Sequence, residues 1–123
     1  MSDKTDKLIE EYISGILDIK IKYREKELSL EGNNLSEDTI LQMLKMRKDF
    51  FDDLIIMIKG QSIERIIIAR FRYHLTWLEV GERLCLEEST ARKKYYQFKK
   101  IVNEIYLKNI KQENFNFREI SNR

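Results

Sequence analysis

The chain contains no proline and only four glycines among its 123 residues. A fold made of short strands needs these residues at its many turns, whereas a fold made of long helices does not. The sequence therefore predicts an all-α protein. With 42% hydrophobic and 36% charged residues, the chain can bury one small core, so we expect one domain or one domain with an appended element.

Two long segments of the N-terminal half carry apolar residues at helical spacing. The first predicted helix spans about residues 4–31 and ends at Gly32, and the second spans about residues 37–59 with Ser36 as its N-cap. Their short link and matching apolar stripes predict an antiparallel hairpin. Apolar residues left over on the second helix suit either self-association or packing onto the C-terminal half. These are Met43, Met46, Phe50 and Met57.

Three further helices are predicted after the hairpin. A strongly apolar one spans about residues 63–73 and should be central, with Ser62 as its cap. The run Thr76-Trp77-Leu78-Glu79 is a capping box, which starts a short helix ending near Leu84. Leu78, Val80 and Gly81 are expected to face neighbouring elements. Cys85 and Leu86 make the turn, with the cysteine acting as a small hydrophobe, and the last helix runs from about residue 88 to residue 108.

The last helix is predicted to have a buried side and a cationic side. Residues spaced by four, three, four and three form its apolar stripe: Ala91, Tyr95, Phe98, Val102 and Ile105. The opposite side is polar, cationic and aromatic: Ser89, Arg92, Lys93, Tyr96, Lys99 and Lys100. A short helix, a turn and a helix of this kind form the helix-turn-helix plan, in which the second helix enters the major groove of double-stranded DNA.

The stretch WLEVGERLCLEESTARKKYYQFKKIV resembles the helix-turn-helix of region four of bacterial sigma factors, and the preceding ERIIIARFRY resembles its leading helix. The resemblance covers about residues 64–105. The hairpin has no likeness to the promoter-melting region two, so the chain is not a complete sigma factor. Glu87 departs from the pattern, where Ser or Thr usually caps the recognition helix, as does Gly81, where Ala is common.

The whole layout is similar to small transcriptional regulators of the ArpU and RinA type from phages and prophages of Gram-positive bacteria. This resemblance implies control of late genes. It also implies a hairpin over residues 1–60 for oligomerisation or partner binding, a helix-turn-helix unit over residues 61–111 and a polar tail over residues 112–123. RNA polymerase and a second copy of the chain are the candidate protein partners.

Each residue on the cationic side has a functional interpretation and a structural alternative. The fork of Arg92 suits guanine, although it also suits a phosphate or solvent. Ser89 and Thr90 can bond bases or phosphates, and Thr90 can equally cap its own helix. The hydroxyl of Tyr96 can reach a phosphate. Trp77 is expected to be a packing anchor. The lysines are expected to contact phosphates: Lys93, Lys94, Lys99 and Lys100.

The charge distribution agrees with a polyanion contact and equally with a solvated helix face. Residues 1–60 carry 10 Lys and Arg against 13 Asp and Glu, whereas residues 61–123 carry 13 against 8. Two other classes of protein fit the same pattern. A phage small terminase subunit also joins a helix-turn-helix to long helices but assembles into rings, and a protein-interaction module would use the basic helix to grip an acidic partner without salt-sensitive DNA affinity.

The remaining residues predict no enzyme, cofactor or metal site. A single cysteine excludes an internal disulfide, and the only histidine, His74, has no ligand cluster at metal spacing. No glycine-rich phosphate loop or nucleophile elbow occurs, so we expect no catalytic residues. No stretch approaches the ~20 apolar residues of a membrane span. We therefore expect no membrane partner and a cytoplasmic location in the bacterial host cell.

Overall fold

The computed structural model describes the backbone of residues 3–121 and the side chains of residues 3–106 and Lys108. Within that part the chain is all-α and has no β-strand, as the sequence predicts. Six α-helices follow one another along the chain: α1 Lys4–Ile13, α2 Ile16–Glu31, α3 Thr39–Ile58, α4 Ser62–Ile67, α5 Trp77–Leu84 and α6 Glu88–Ser121. No helix in this part is both long enough and apolar enough to cross a membrane.

The predicted first helix over residues 4–31 is wrong, because the structure breaks it at Gly15. This glycine has a φ of 89°, in the left-handed region that side chains with a Cβ rarely adopt. The chain changes direction there, and α1 packs on the C-terminal half of the molecule while α2 packs on α3. An isolated glycine within an otherwise helical pattern was the available signal.

The antiparallel hairpin consists of α2 and α3. Arg24, in the middle of α2, forms an ion pair of 2.7 Å with Asp38 just before α3, and Asp18, near the start of α2, forms one of 3.0 Å with Lys48 in the middle of α3. The two helices therefore run in opposite directions. The connection contains a 3₁₀ turn over Leu35–Glu37. The predicted N-cap at Ser36 is wrong, because that residue lies inside the turn. Asp38 caps α3 instead and accepts a hydrogen bond of 2.8 Å from the amide of Leu41.

The buried residues form two separate cores. The smaller core holds the hairpin together and contains Leu17, Ile21, Leu28 and Leu41. The larger core draws on both sides of residue 60, since α1 and the second half of α3 pack with α4, α5 and α6. Its aromatic part includes Tyr12, Phe50, Phe51 and Tyr106, whose rings lie 5.2–6.5 Å apart. Three of the four methionine and phenylalanine residues predicted to be left over are exposed, and Phe50 is half-buried against Tyr106.

The predicted helix over residues 63–73 is present but changes its winding. It starts as α4 at Ser62 and continues as a π-helical segment over Ile68–Arg72. The N-cap is Gln61, so the prediction that Ser62 is the cap is wrong. The helix is central as predicted, with Ile66 and Ile67 fully buried in the larger core. Arg70, in the wide turn, donates a 2.7 Å hydrogen bond to the carbonyl of Leu75 and braces the entry to α5.

The capping box and turn that define the helix-turn-helix are confirmed. The Thr76 hydroxyl accepts from the Glu79 amide at 3.2 Å, and the Glu79 carboxylate accepts from the Thr76 amide at 3.0 Å. Cys85 ends α5 in the left-handed conformation with a φ of 57°. Its side chain is exposed, so the prediction that it acts as a small hydrophobe is not met. Leu78, predicted to face inward, is 56% exposed, whereas Val80 is fully buried.

Gly81 sets the distance between α5 and the start of α6. A Cβ at this position would lie 2.7 Å from the carbonyl oxygen of Leu86 and 3.3 Å from the amide nitrogen of Glu88. Both neighbours are backbone atoms, which cannot rotate away. The carbonyl oxygen of Gly81 accepts a hydrogen bond of 2.9 Å from the amide of Leu86. The turn is therefore hydrogen-bonded at the point where the two backbones come closest. The departure from Ala noted in the sequence therefore has a packing reason.

The last helix is longer than predicted. Its backbone continues past residue 108 to Ser121, so most of the predicted polar tail over residues 112–123 is helical backbone. The side chains of this tail, and its last two residues altogether, lie outside the described part. The predicted buried stripe is confirmed at four positions: Ala91, Tyr95, Phe98 and Val102. Ile105 is instead 37% exposed and not part of the core, and the neighbouring Tyr106 packs inward.

We expect Gly81→Ala to destabilise the fold by about 1–3 kcal/mol, because the added methyl must displace the backbone of the turn. In an open helix the same change would add about 1 kcal/mol of stability. Urea denaturation followed by circular dichroism measures the difference. Glu82→Ala is the matched control, since Glu82 is the next residue of α5 and is exposed. A Gly81→Ala variant as stable as that control would contradict the close approach.

Candidate nucleic-acid interface

Five of the predicted site residues lie together on the solvent side of α6. They are exposed and line one open groove together with Gln97: Ser89, Arg92, Lys93, Tyr96 and Lys100. These positions follow the spacing of one helix face, so a helix that buries its other side must present them together. Gln97 fits the same spacing, eight residues after Ser89, but its neutral amide is not among the cationic, hydroxyl and aromatic side chains that mark this face in the sequence.

Two predicted site residues do not share this open position. Thr90 is half-buried at the first turn of α6, next to Ala91 in the core. Lys99 is only 19% exposed in its side chain. Its ammonium group lies 2.9 Å from a carboxylate oxygen of Asp3 and 3.4 Å from one of Asp6. The expectation that Lys99 faces solvent is therefore wrong, because α1 folds back onto this side of α6.

The acidic start of α1 forms a clamp on α6, which we define as Asp3 and Asp6 with their partners Tyr95 and Lys99. Asp3 and Asp6 are joined by a capping box, in which each carboxylate accepts the backbone amide of the other. The Tyr95 hydroxyl donates to Asp6. Sequence reasoning missed this contact, since it joins residues 89 positions apart and depends on the break at Gly15.

The clamp shifts the pKa values of Asp3, Lys99 and Tyr95 in directions that strengthen it. The pKa of Asp3 is lowered, first by its backbone hydrogen bond from Asp6 and then by Lys99. Burial alone would lower the pKa of Lys99, but the hydrogen bond to Asp3 and the charges of both aspartates outweigh burial and raise it. Burial and the bond to Asp6 raise the pKa of Tyr95. Asp3 and Lys99 therefore keep their charges at neutral pH, and Tyr95 keeps its proton.

Tyr95 is also the centre of an aromatic cluster beneath the groove. Its ring centroid lies 5.3 Å from that of Trp77 and 5.5 Å from that of Phe71. The guanidinium of Arg70 lies 5.2 Å from the Trp77 ring on the other side. Trp77 is thus a packing anchor, as predicted. Its contact with Tyr95 holds the start of α5 against the first turns of α6.

A second cavity of about 620 Å³ separates the clamp from the turn before α5. Its walls carry both signs of charge and four aromatic rings: Asp6, Glu10, Arg70, Phe71, His74, Trp77, Arg92, Tyr95, Tyr96 and Lys99. Within the described residues no group of three or more His, Cys, Asp or Glu side chains is placed to hold a metal ion. The cavity continues the groove towards α1, so acidic groups border the cationic face on that side.

Arg92 makes an ion pair within its own helix. Its guanidinium lies 2.6 Å from the carboxylate of Glu88, one turn earlier, and both side chains are exposed. Such a pair at the surface contributes about 0.3–0.5 kcal/mol. Glu88 therefore orients Arg92, but the pair is weak enough that a stronger partner of Arg92 can replace it. Glu87 is exposed at the residue before α6, where its charge suits the positive end of the helix dipole.

Comparison with known families places the chain in one of them. It belongs to the family described as protein of unknown function DUF722, whose model matches residues 1–40 and 31–104. No curated protein and no solved structure matches the chain. The matched residues include the hairpin, the turn before α6 and every residue of the groove, so the cationic face lies within the part that matches the family model.

We expect Tyr95→Phe to lower the free energy of unfolding by about 1–3 kcal/mol, because the largely buried Asp6 carboxylate loses a hydrogen bond donor. Chemical denaturation measures this. Tyr96→Phe is the matched control: it removes the same hydroxyl from the next residue, whose side chain is exposed, and should change stability by less than about 0.5 kcal/mol. Equal effects of the two changes would show that the bond to Asp6 contributes nothing.

Proposed function

We propose that this DUF722 chain is a sequence-specific DNA-binding transcriptional regulator, of the phage or prophage late-gene type, and not an enzyme. It would insert the first turns of α6 into the major groove. The observation that carries the proposal is the exposed face of α6, which begins directly after a rigid turn and presents an arginine, two lysines, a serine, a tyrosine and a glutamine side by side. Side chains of these types supply the usual contacts to base edges and phosphates.

In this proposal Arg92 and Gln97 recognise the base sequence of the DNA. The guanidinium of Arg92 matches the two acceptors of guanine, and the amide of Gln97 matches adenine. Arg92 would exchange its weak pair with Glu88 for the base. Ser89 and the Tyr96 hydroxyl supplement these contacts, and Lys93 and Lys100 would bind phosphates and provide affinity without sequence information.

The clamp moderates this binding. Asp3 and Asp6 add negative charge beside the cationic face and occupy Lys99, which is thereby removed from the set of phosphate ligands. Fewer free cations lower the affinity for DNA of any sequence, while base contacts are unaffected. Because this loss is the same for the operator and for random DNA, it would shorten the residence on both without changing the ratio of specific to non-specific affinity.

The regulator would act in the cytoplasm of the bacterial host, as a homodimer and with RNA polymerase as a candidate contact. Two recognition helices of a dimer would lie about 34 Å apart and read a repeated operator with that spacing. The hairpin is available for protein contacts, since α2 and the outer side of α3 keep exposed apolar residues.

Substitutions should distinguish the residues that contact bases from those that contact phosphates. We expect Arg92→Ala to weaken binding to the operator by about 1–3 kcal/mol and to relax the preference at one base position. Lys100→Ala should weaken binding to all sequences alike and reduce the slope of log affinity against log salt by about 1. Selection from random DNA followed by titration at several salt concentrations measures both. Equal loss on operator and random DNA for Arg92→Ala would contradict its assigned role, and no salt-sensitive affinity for any duplex would contradict the proposal as a whole.

Loosening the clamp should strengthen binding. Asp3→Asn keeps an N-cap residue that suits the start of a helix but removes the charge next to Lys99. We expect affinity for random-sequence DNA to rise about two- to fivefold, with a steeper salt dependence. Glu37→Gln, which removes one exposed carboxylate in the turn between α2 and α3, is the control and should have no such effect. An unchanged affinity of Asp3→Asn would show that DNA does not approach the clamped side of α6.

A further inference from the structure

The outer side of α2 carries a regular stripe that none of the described residues covers. Its members follow the three- and four-residue spacing of a coiled-coil seam: Ile19, Tyr23, Lys26 and Leu30. The buried residues of α2, such as Leu17 and Leu28, lie on the opposite side and face α3. Ile19 is 66% exposed, and Tyr23 and Leu30 more so. A helix that is apolar on both sides is unsuited to remain half in water.

The stripe is complementary to itself when two copies run antiparallel. In heptad terms Ile19 and Lys26 are at d positions, and Tyr23 and Leu30 are at a positions. In an antiparallel pair, each a position of one helix packs against a d position of the other. Ile19 then meets Leu30 of the second copy, and Tyr23 meets Lys26. The twofold axis repeats both contacts. Lys26 suits this place because its aliphatic stem covers the tyrosine ring and its ammonium gains a cation–π contact.

Charges beside the stripe agree with the same register. Lys20 and Glu27 flank one edge of the seam, and antiparallel pairing brings Lys20 of each copy opposite Glu27 of the other. On the opposite edge Lys22 meets the neutral Ser29. Lys20 pairs with Glu11 and Glu27 with Arg24 within the chain, but the side chains of Lys20 and Glu27 remain 48% and 42% exposed, which leaves room for a second partner.

The exposed apolar stripe of α3 does not have this property. This stripe consists of Met43, Met46, Phe50, Asp53 and Met57 and has the same three- and four-residue spacing. Asp53 interrupts its apolar residues, and Phe50 already packs on Tyr106 at 5.4 Å. Each antiparallel register brings the Asp53 carboxylate against an apolar side chain, that of Met43, Phe50 or Met57, and none of the seam residues is a cation that could compensate its loss of water. Self-pairing is therefore favoured at α2 and disfavoured at α3.

We propose that α2 is the homodimer interface of this protein, formed by antiparallel pairing with a second copy. Ile19 and Leu30 make its outer layers, Tyr23 and Lys26 its two central layers, and Lys20 with Glu27 its charged edge. The pairing is isologous, as in most twofold dimers, so the same patch serves both copies and no open surface is left over. It does not require DNA, and so it stands or falls separately from the proposed recognition role.

Charge reversal tests the register. Sedimentation equilibrium of the full chain without DNA should give a dimer, and Lys20→Glu and Glu27→Lys should each raise its dissociation constant roughly tenfold, because each places two like-charge pairs on the edge. The double variant should return to within about threefold of the unaltered chain. Lys22→Glu is the control on the other edge and should change the constant by less than about threefold. Circular dichroism confirms that each variant is folded.

A matched pair of apolar positions tests the surface itself. Ile19→Asp should abolish the dimer, whereas Ile56→Asp on α3, at a residue that is 71% exposed, should leave it intact. A monomer at every concentration, or a ring of higher mass, would overturn the proposal. So would a dimer that Ile56→Asp disrupts and Ile19→Asp does not, or one in which the double charge reversal fails to restore association.

Discussion

The fold depends on one buried tyrosine. The ring of Tyr95 packs between Trp77 and Phe71, and its hydroxyl donates to Asp6, so a single side chain joins α1, the π-helical segment, α5 and α6. A polar group in such a place must be satisfied, because an unpaired hydroxyl or carboxylate there would cost about 1–3 kcal/mol. The position of α1 follows from this requirement. Where α1 lies in turn decides which cations of α6 remain accessible and which are paired.

The sequence predicts correctly those features of the fold that depend only on residues close together in the chain. The capping box at Thr76, the turn at Cys85 and the buried stripe of α6 are all decided by spacings of four residues or fewer, and the structure has them. The exposed face followed from the stripe, since a helix with one side buried must show the other. Gln97 belonged to the same face, and only the choice of residue types left it out.

Contacts between distant segments were beyond sequence reasoning. The first predicted helix was too long because its apolar residues keep their spacing across Gly15, and only the left-handed backbone there shows the break. The pattern of α6 alone predicts that Lys99 lies on the surface, because nothing in that helix indicates that Asp3 and Asp6 pair with it. The pattern of α5 alone predicts that Leu78 faces inward, but none of the described residues covers it, and it is 56% exposed. In each case the deciding partner lies in another part of the chain.

The division of the interior into two cores also divides the stability of the molecule. The hairpin core contains four buried residues, while the larger core around Tyr95 contains most of the rest. Regions with little buried apolar surface open at lower free energy than regions with much, and they do so as cooperative units. The hairpin is thus the segment whose order responds most to anything that covers it. The four residues of the hairpin core are not part of the larger core, so we expect a substitution that loosens the hairpin core to leave the larger core mostly unchanged.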